Sequence, residues 1–170
     1  MKKNVALIGM MGCGKTTIGK ELNRLLPNLR FIDIDEEIEK SSGKKISEIF
    51  LKFGERHFRI LESEKIKFVF DKTNQIVSLG GGAFENPENR KIILENSTVI
   101  YLKTSAQEIY TRIKDEYHRP LLSKNSSLDR INEIMLKREP NYLKADIIIE
   151  TDKKLPDETA KNILEVLKID

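Results

Sequence analysis

Val5-Ala6-Leu7-Ile8-Gly9-Met10-Met11-Gly12-Cys13-Gly14-Lys15-Thr16 decides the fold of this chain. Four apolar residues lead into Gly9–Thr16, which matches G-x-x-x-x-G-K-[ST], and an amphipathic stretch follows, with Ile18, Leu22, Leu25 and Leu26 on one stripe. Strand, glycine-rich turn and helix together predict a phosphate-cradling loop. Its glycines let successive backbone N–H groups turn inward around phosphate oxygens, and the helix N-terminus adds its positive dipole end. Lys15 supplies a point charge for the β- and γ-phosphates, and the Thr16 hydroxyl suits Mg²⁺. The alternative, a glycine turn that binds nothing, does not account for the lysine–threonine ending. Gly12, Gly14 and Thr17 belong to the same cradle. Cys13 reads as a loop filler, with thiol chemistry as the alternative.

Outward from the loop, Phe31–Ile32, Ile76–Leu79, Thr98–Leu102 and Ile147–Ile149 are further short apolar runs, rich in β-branched residues and without strict alternation. Such runs fit strands buried on both faces of a parallel sheet. Helix signals lie between them. Pro27 stops the first helix; Asn86-Pro87 reads as an N-cap with proline at the first helical position; Ser105-Ala106-Gln107-Glu108 has capping-box spacing. Leu128, Ile131 and Met135 mark another helix, and Ile163, Leu164 and Leu167 the last. Alternating strands and helices predict one three-layer α/β domain over residues 1–170. Lys114–Ser127, with Pro120 and a Lys-Asn-Ser-Ser run, predicts a mobile loop within that domain.

Bulk composition agrees. The chain has 170 residues, 39% hydrophobic and 34% charged, which suits one globular domain with its own core. The net charge of +3 comes from interleaved signs, so nucleic-acid binding is not expected. With one cysteine, no internal disulfide can form, and a reducing compartment fits. No apolar run approaches the ~20 residues of a membrane span, and Val5–Ile8 is too short for a signal-peptide core. A cytoplasmic location is the expectation.

The acceptor side is written in a second set of residues. Asp33-Ile34-Asp35 follows the second apolar run. If the strand continues through them, alternation puts both carboxylates on one face, at the ligand-bearing end of a parallel strand. One carboxylate would organise Mg²⁺ while the other accepts a substrate hydroxyl. Helix N-capping by the same residues is an equal alternative. Arg59 and Glu62, three apart, share a helical face. Arg59 suits two-pronged binding of a carboxylate with Glu62 orienting it, against the plainer reading of a surface salt bridge. Gly80-Gly81-Gly82 closes the third apolar run, which suggests close approach of backbone to a ligand, or a plain turn.

Taken together, the sequence resembles the shikimate kinase family. The residues that carry the resemblance are Gly9–Thr17, Asp33 and Asp35, the run Ile46-Ser47-Glu48-Ile49-Phe50 with Gly54-Glu55, Phe58-Arg59 and Glu62, then Gly80-Gly81-Gly82, Arg119-Pro120-Leu121-Leu122, and Arg138-x-x-x-Tyr142. They occur in the family's order from Val5 to about Pro156. The resemblance implies ATP- and Mg²⁺-dependent phosphorylation of the 3-hydroxyl of shikimate, in chorismate and aromatic amino-acid synthesis. It implies the P-loop fold of nucleoside monophosphate kinases, with parallel strand order 2-3-1-4-5, an acceptor-binding region at about 33–62 and a lid at about 113–125. Asp35, Arg59, Gly81 and Arg138 fall at shikimate-binding positions. Thr16 falls at the magnesium position, with Asp33 and Ser78 near the ion through water. Arg119 falls in the lid, and Arg112 where a residue stacks on adenine. Lys15, Asp35 and Arg119 are the implied catalytic set, with Asp35 either taking the hydroxyl proton or aligning it. A monomer is implied as well.

Two features are individual. Where the family commonly has an arginine near adenine, this chain has Lys154, which cannot stack as a planar guanidinium. His57 and His118 have no ligand partners at metal spacing and read as surface or lid residues. A nucleotide kinase would carry a longer acceptor-binding insertion and lack the Asp33/Asp35, Phe58-Arg59 and glycine-triplet set. A non-catalytic nucleotide-binding module would have lost Lys15, Asp35 or Arg119, and all three are present.

Overall fold

β1 (Asn4–Ile8) is buried at every position, as a strand in the middle of a covered sheet must be. A computed structural model describes residues 4–113 and 128–167. In it β1 pairs in parallel with β3 (Gln75–Ser78) on one side and β4 (Thr98–Lys103) on the other. β3 carries β2 (Arg30–Asp33) on its far edge, and β4 carries β5 (Ile147–Glu150). The order is β2-β3-β1-β4-β5, the order the family resemblance implies.

Seven helices among the described residues cover the sheet: α1 (Lys15–Leu25), α2 (Ile34–Ser42), α3 (Ile46–Phe70), α4 (Pro87–Asn96), α5 (Ala106–Ile113), α6 (Leu128–Tyr142) and α7 (Pro156–Leu167). The strand period of two divides the core. Ala6 and Ile8 face a cluster with Ile49, Phe58, Ile66, Ile93 and Ile131, so α3, α4 and α6 lie on that side. Val5 and Leu7 face Ile18, Leu22, Ala160 and Ile163 from α1 and α7. Fully burying each such aliphatic side chain is worth roughly 1.5–3 kcal/mol, which is why the short apolar runs were the most legible signal in the sequence.

Element ends follow the expected chemistry with two exceptions. Leu26 caps α1 just ahead of Pro27. Asn86 Oδ1 accepts from the N–H groups of Glu88 (2.8 Å) and Asn89 (3.2 Å) at the start of α4. At Ser105 only half of the capping box forms. Ser105 Oγ accepts from Glu108 N at 3.2 Å, but the Glu108 carboxylate turns to Arg112, and the Ser105 N–H donates to Asp152 Oδ1 at 2.8 Å. The strand through Asp33 and Asp35 is the second exception. β2 ends at Asp33 and α2 begins at Ile34, because Asp33 Oδ1 accepts from the Asp35 and Glu36 N–H groups at 3.0 and 3.3 Å and so starts a helix.

The loop expected at Lys114–Ser127, with Arg119 and His118, lies outside the described residues. Among those described, no helix is long and apolar enough to cross a membrane.

Candidate active site

At the carboxyl ends of the strands a single cleft of about 900 Å³ is lined by both predicted residue sets. Gly12, Cys13, Gly14, Lys15, Thr16, Thr17, Asp33, Asp35, Arg59, Gly81, Arg112, Arg138 and Lys154 all reach it. Arg119 alone of the predicted site residues falls outside the described chain.

On the donor side, Gly9, Gly12 and Gly14 take φ values of 144°, 76° and 96°, which turn the loop tightly into α1. Lys15 is buried, and its ammonium donates to the Gly9 and Met10 carbonyls, each at 2.9 Å. Its charge is therefore held over the loop by weak neutral acceptors that an anionic phosphate would outcompete. Cys13 is fully buried beside Val5, Leu7 and Ile18, with its Sγ 3.6 Å from the Lys15 ammonium. Thr16 Oγ1 donates to Asp33 Oδ2 at 2.6 Å. Asp33 therefore caps α2 with one oxygen, the helix-start alternative, while its other oxygen accepts from the phosphate-loop threonine. The β2–β3 register sets Ser78 beside it. A hydroxyl, a carboxylate and a neighbouring hydroxyl are hard oxygen donors, which fit Mg²⁺.

Behind the loop, Arg112 on α5 forks onto Glu108 Oε1 at 3.1 and 2.9 Å and reaches the carbonyls of Cys13 (3.4 Å) and Thr151 (3.5 Å). It ties the phosphate loop to the turn after β5, where Lys153 takes a positive φ of 59° and Lys154 N donates to Thr151 O.

The acceptor side is built on the glycine triplet by close approach. A Cβ at Gly80 would stand 2.9 Å from Glu62 Oε1 and 3.1 Å from Asp35 Oδ1; at Gly81, 3.1 Å from Arg138 Nη1; at Gly82, 2.5 Å from Arg59 Nη2. The triplet therefore makes room for charged side chains from three helices: Asp35 from α2 and Glu62 from α3 at Gly80, Arg138 from α6 at Gly81, and Arg59 from α3 at Gly82. A turn is present as well, with Ala83 N donating to Gly80 O at 3.0 Å, and the close approach is made by side chains of the protein itself. Gly81 also touches the donor loop, 3.3 Å from Met11 N on the same measure.

Arg59 and Glu62 are not a surface pair. Glu62 is 1% exposed, and its Oε2 accepts from Arg59 Nη1 at 2.8 Å. Arg59 Nη2 reaches Glu55 at 3.1 Å. Burial, opposed by Arg59 and reinforced by the Asp35 charge, pushes the Glu62 carboxyl up to about 7. Burial disfavours the charge on Arg59, yet Glu62 and Glu55 together raise its pKa. Glu62 Oε1 and Arg138 Nη1 are buried with no hydrogen-bond partner, and the Arg138 guanidinium lies beside the Tyr142 hydroxyl.

Tyr142 is the residue that sequence reasoning underrated. Its hydroxyl donates to the Gly81 carbonyl, its ring lies 5.1 Å from that of Tyr101, and burial raises its phenol pKa. The four-residue spacing from Arg138 put both on one face of α6, but the partner on Gly81 comes from packing across 61 residues of chain. Next to it, Asn141 Nδ2 donates to Glu85 Oε1 at 3.1 Å and fastens α6 to the 3-10 turn after the triplet. His57 stacks on Phe53 at the surface, as read.

The family model described as shikimate kinase matches residues 11–168. A shikimate kinase of Thermodesulfovibrio yellowstonii is 42% identical over 163 residues, 96% of this chain and 94% of its own. One of Persephonella marina is 44% identical over 162 residues, 95% and 97% of the two chains. The solved structure of a shikimate kinase from Acinetobacter baumannii in complex with shikimate is similar with a TM-score of 0.94 at 32% identity, covering 98% of this chain and 93% of that one.

Proposed function

Because this chain belongs to the shikimate kinase family, it is an ATP-dependent phosphotransferase that makes shikimate 3-phosphate and ADP, and we propose how its residues divide that work. The backbone of Gly12–Thr17 and the Lys15 ammonium hold the β- and γ-phosphates. Lys15 leaves the Gly9 and Met10 carbonyls to do so. Arg112 and Lys154 flank the adenine, Lys154 through its charge and alkyl stem rather than by stacking.

Arg59 and Arg138 take the shikimate carboxylate, and Arg138 Nη1 is already desolvated and unpartnered for it. Asp35 accepts the hydrogen bond of the 3-hydroxyl and is the group in reach of its proton as the oxygen attacks phosphorus. The Gly81 backbone closes the remaining side. Transfer of this kind asks mainly for alignment and charge neutralisation. Lys15 supplies part of the neutralisation, and Arg119 from the lid segment at about 113–125 supplies more. One Mg²⁺ ion, held by Thr16 and by Asp33 through water, would neutralise phosphate charge when bound. The acceptor-binding region spans about 33–62 within one domain of 170 residues. A monomer in the cytoplasm fits the interleaved charges and the single buried cysteine.

The observation that carries this assignment is the gathering of Asp35, Arg59 and Arg138 over one glycine triplet, in the same cleft as the phosphate loop. ADP release measured with shikimate, gluconate or AMP as acceptor tests it. Turnover is expected with shikimate alone; silence with shikimate and robust turnover on another acceptor would overturn it.

A further inference from the structure

We infer that acceptor binding draws one proton from solvent onto Glu62, so that this residue meets the bound polyol acid as a hydrogen-bond donor and not as a second anion. The inference rests on the shikimate reading of the cleft. Glu62 Oε2 is committed to Arg59 at 2.8 Å, while Oε1 is buried without a hydrogen-bond partner. Oε1 lies against Gly80, and Asp35 Oδ1 lies against the same glycine. Two carboxylates packed on one small residue put the Asp35 charge near Oε1, where it opposes a second negative charge. An ionised carboxylate can only accept; a protonated one can donate, to Asp35 or to a substrate hydroxyl oxygen.

The charges around Glu62 set the direction. Arg59 stands on its own helix, Asp35 on α2 and Arg138 on α6, and the glycine triplet contributes none. Glu55 stands behind Arg59 and already takes a share of that cation. A carboxylate ligand seated between Arg59 and Arg138 adds an anion and competes with Glu62 for both cations. It also excludes water from a group that is already 1% exposed. Each change favours the neutral acid. Burial has brought the free carboxyl to about 7, so near neutral pH a modest further push moves a large fraction of a proton.

The balance is simple. The ligand binds as its carboxylate anion with its hydroxyls intact, a buffer acid gives up its proton, and a new O–H bond forms on Glu62 Oε1. The sign follows from a folded-state value raised above 4.5 and raised again by the ligand. Binding takes up little at about pH 6, where the free group is mostly protonated. Uptake grows from about pH 6 to about pH 8 to a sizeable fraction of a proton, and affinity falls as pH rises over that range.

Calorimetric titration of shikimate into the full chain, in MES and histidine buffers at about pH 6, PIPES and imidazole at about pH 7, and HEPES and Tris at about pH 8, reads this directly. The expected result is a binding enthalpy that depends on the ionisation enthalpy of the buffer, with a slope for proton uptake that increases with pH. Glu62→Gln, which keeps an oxygen for Arg59, is expected to bind with a slope near zero. A wild-type slope near zero, or one unchanged in Glu62→Gln, would overturn the inference. Should that variant fail to bind, a wild-type slope that does not rise between about pH 6 and pH 8 decides against it. Absence of any saturable heat from shikimate would instead overturn the shikimate reading itself.

Discussion

Single residues in this cleft work largely through what they leave open and what they hold in place. Gly80, Gly81 and Gly82 give up their side-chain volume to Glu62, Arg138 and Arg59. Tyr142 does the holding. Its ring is 1% exposed against Tyr101, and its hydroxyl satisfies the Gly81 carbonyl, on a residue that also touches Arg138 and the Met11 N–H. Tyr142→Phe keeps the ring packing and removes one donor. Losing one hydrogen bond to a half-buried carbonyl costs about 0.5–1.5 kcal/mol, so a slightly lower midpoint in chemical denaturation is expected. Because the loosened residue is Gly81, the KM for shikimate is expected to rise several-fold while that for ATP changes much less. Equal changes in the two constants would show that the hydroxyl serves only the fold. Some residue types at this site were legible beforehand: Arg59 for a carboxylate, a carboxylate for hydroxyls, glycines at a strand end, with Arg138 supplied by the family resemblance. The Tyr142 contact and the burial of Glu62 were not, because both depend on how α3 and α6 pack over β3, and no spacing along the chain encodes that.

Among the elements, α3 shows how a local break aims a site. The helix runs from Ile46 to Phe70, but Gly54 leaves helical geometry at φ 80°, ψ 171°. Beyond the break lies the turn that presents Arg59 and Glu62 to the triplet. That backbone region is essentially restricted to glycine and costs any other residue about 1–3 kcal/mol. A Cβ at Gly54 would meet nothing within 4 Å, so Gly54→Ala isolates the conformational cost from any clash. The expected outcome is a stability loss of about that size by denaturation, with a raised KM for shikimate and a retained KM for ATP. An unchanged denaturation midpoint would mean that the break is not needed. Neither the break nor the end of β2 could be read from periodicity. Apolar residues at helical spacing continue across Gly54. Asp33-Ile34-Asp35 satisfies both a strand period and a helix start, and the Asp33 side chain settles it by capping α2. At Ser105 the competing partner, Asp152, lies 47 residues away.

For the molecule as a whole, parallel topology brings two half-sites from separate stretches of chain to one edge of the sheet. The proposed donor half comes from the β1–α1 loop, α5 and the turn after β5; the proposed acceptor half comes from α2, α3, the end of β3 and α6. The strand runs alone predicted a buried parallel sheet, but its order required the family resemblance, since composition does not say which strand neighbours which. The halves meet where Gly81 touches the phosphate loop, and otherwise they use different charged groups. Substitutions should therefore separate by ligand. Losing one charge-assisted contact of about 1.5–3 kcal/mol corresponds to roughly ten- to hundredfold in affinity. Arg138→Ala is expected to weaken shikimate by that amount in calorimetry and to leave ATP largely unaffected. Arg59→Ala should follow the same pattern with a smaller loss above about pH 7. Without its cation Glu62 stays protonated over a wider pH range, so the anion it would otherwise present to the incoming carboxylate is removed. If either variant lost ATP and shikimate affinity equally, the two halves would have to be treated as one cooperative site.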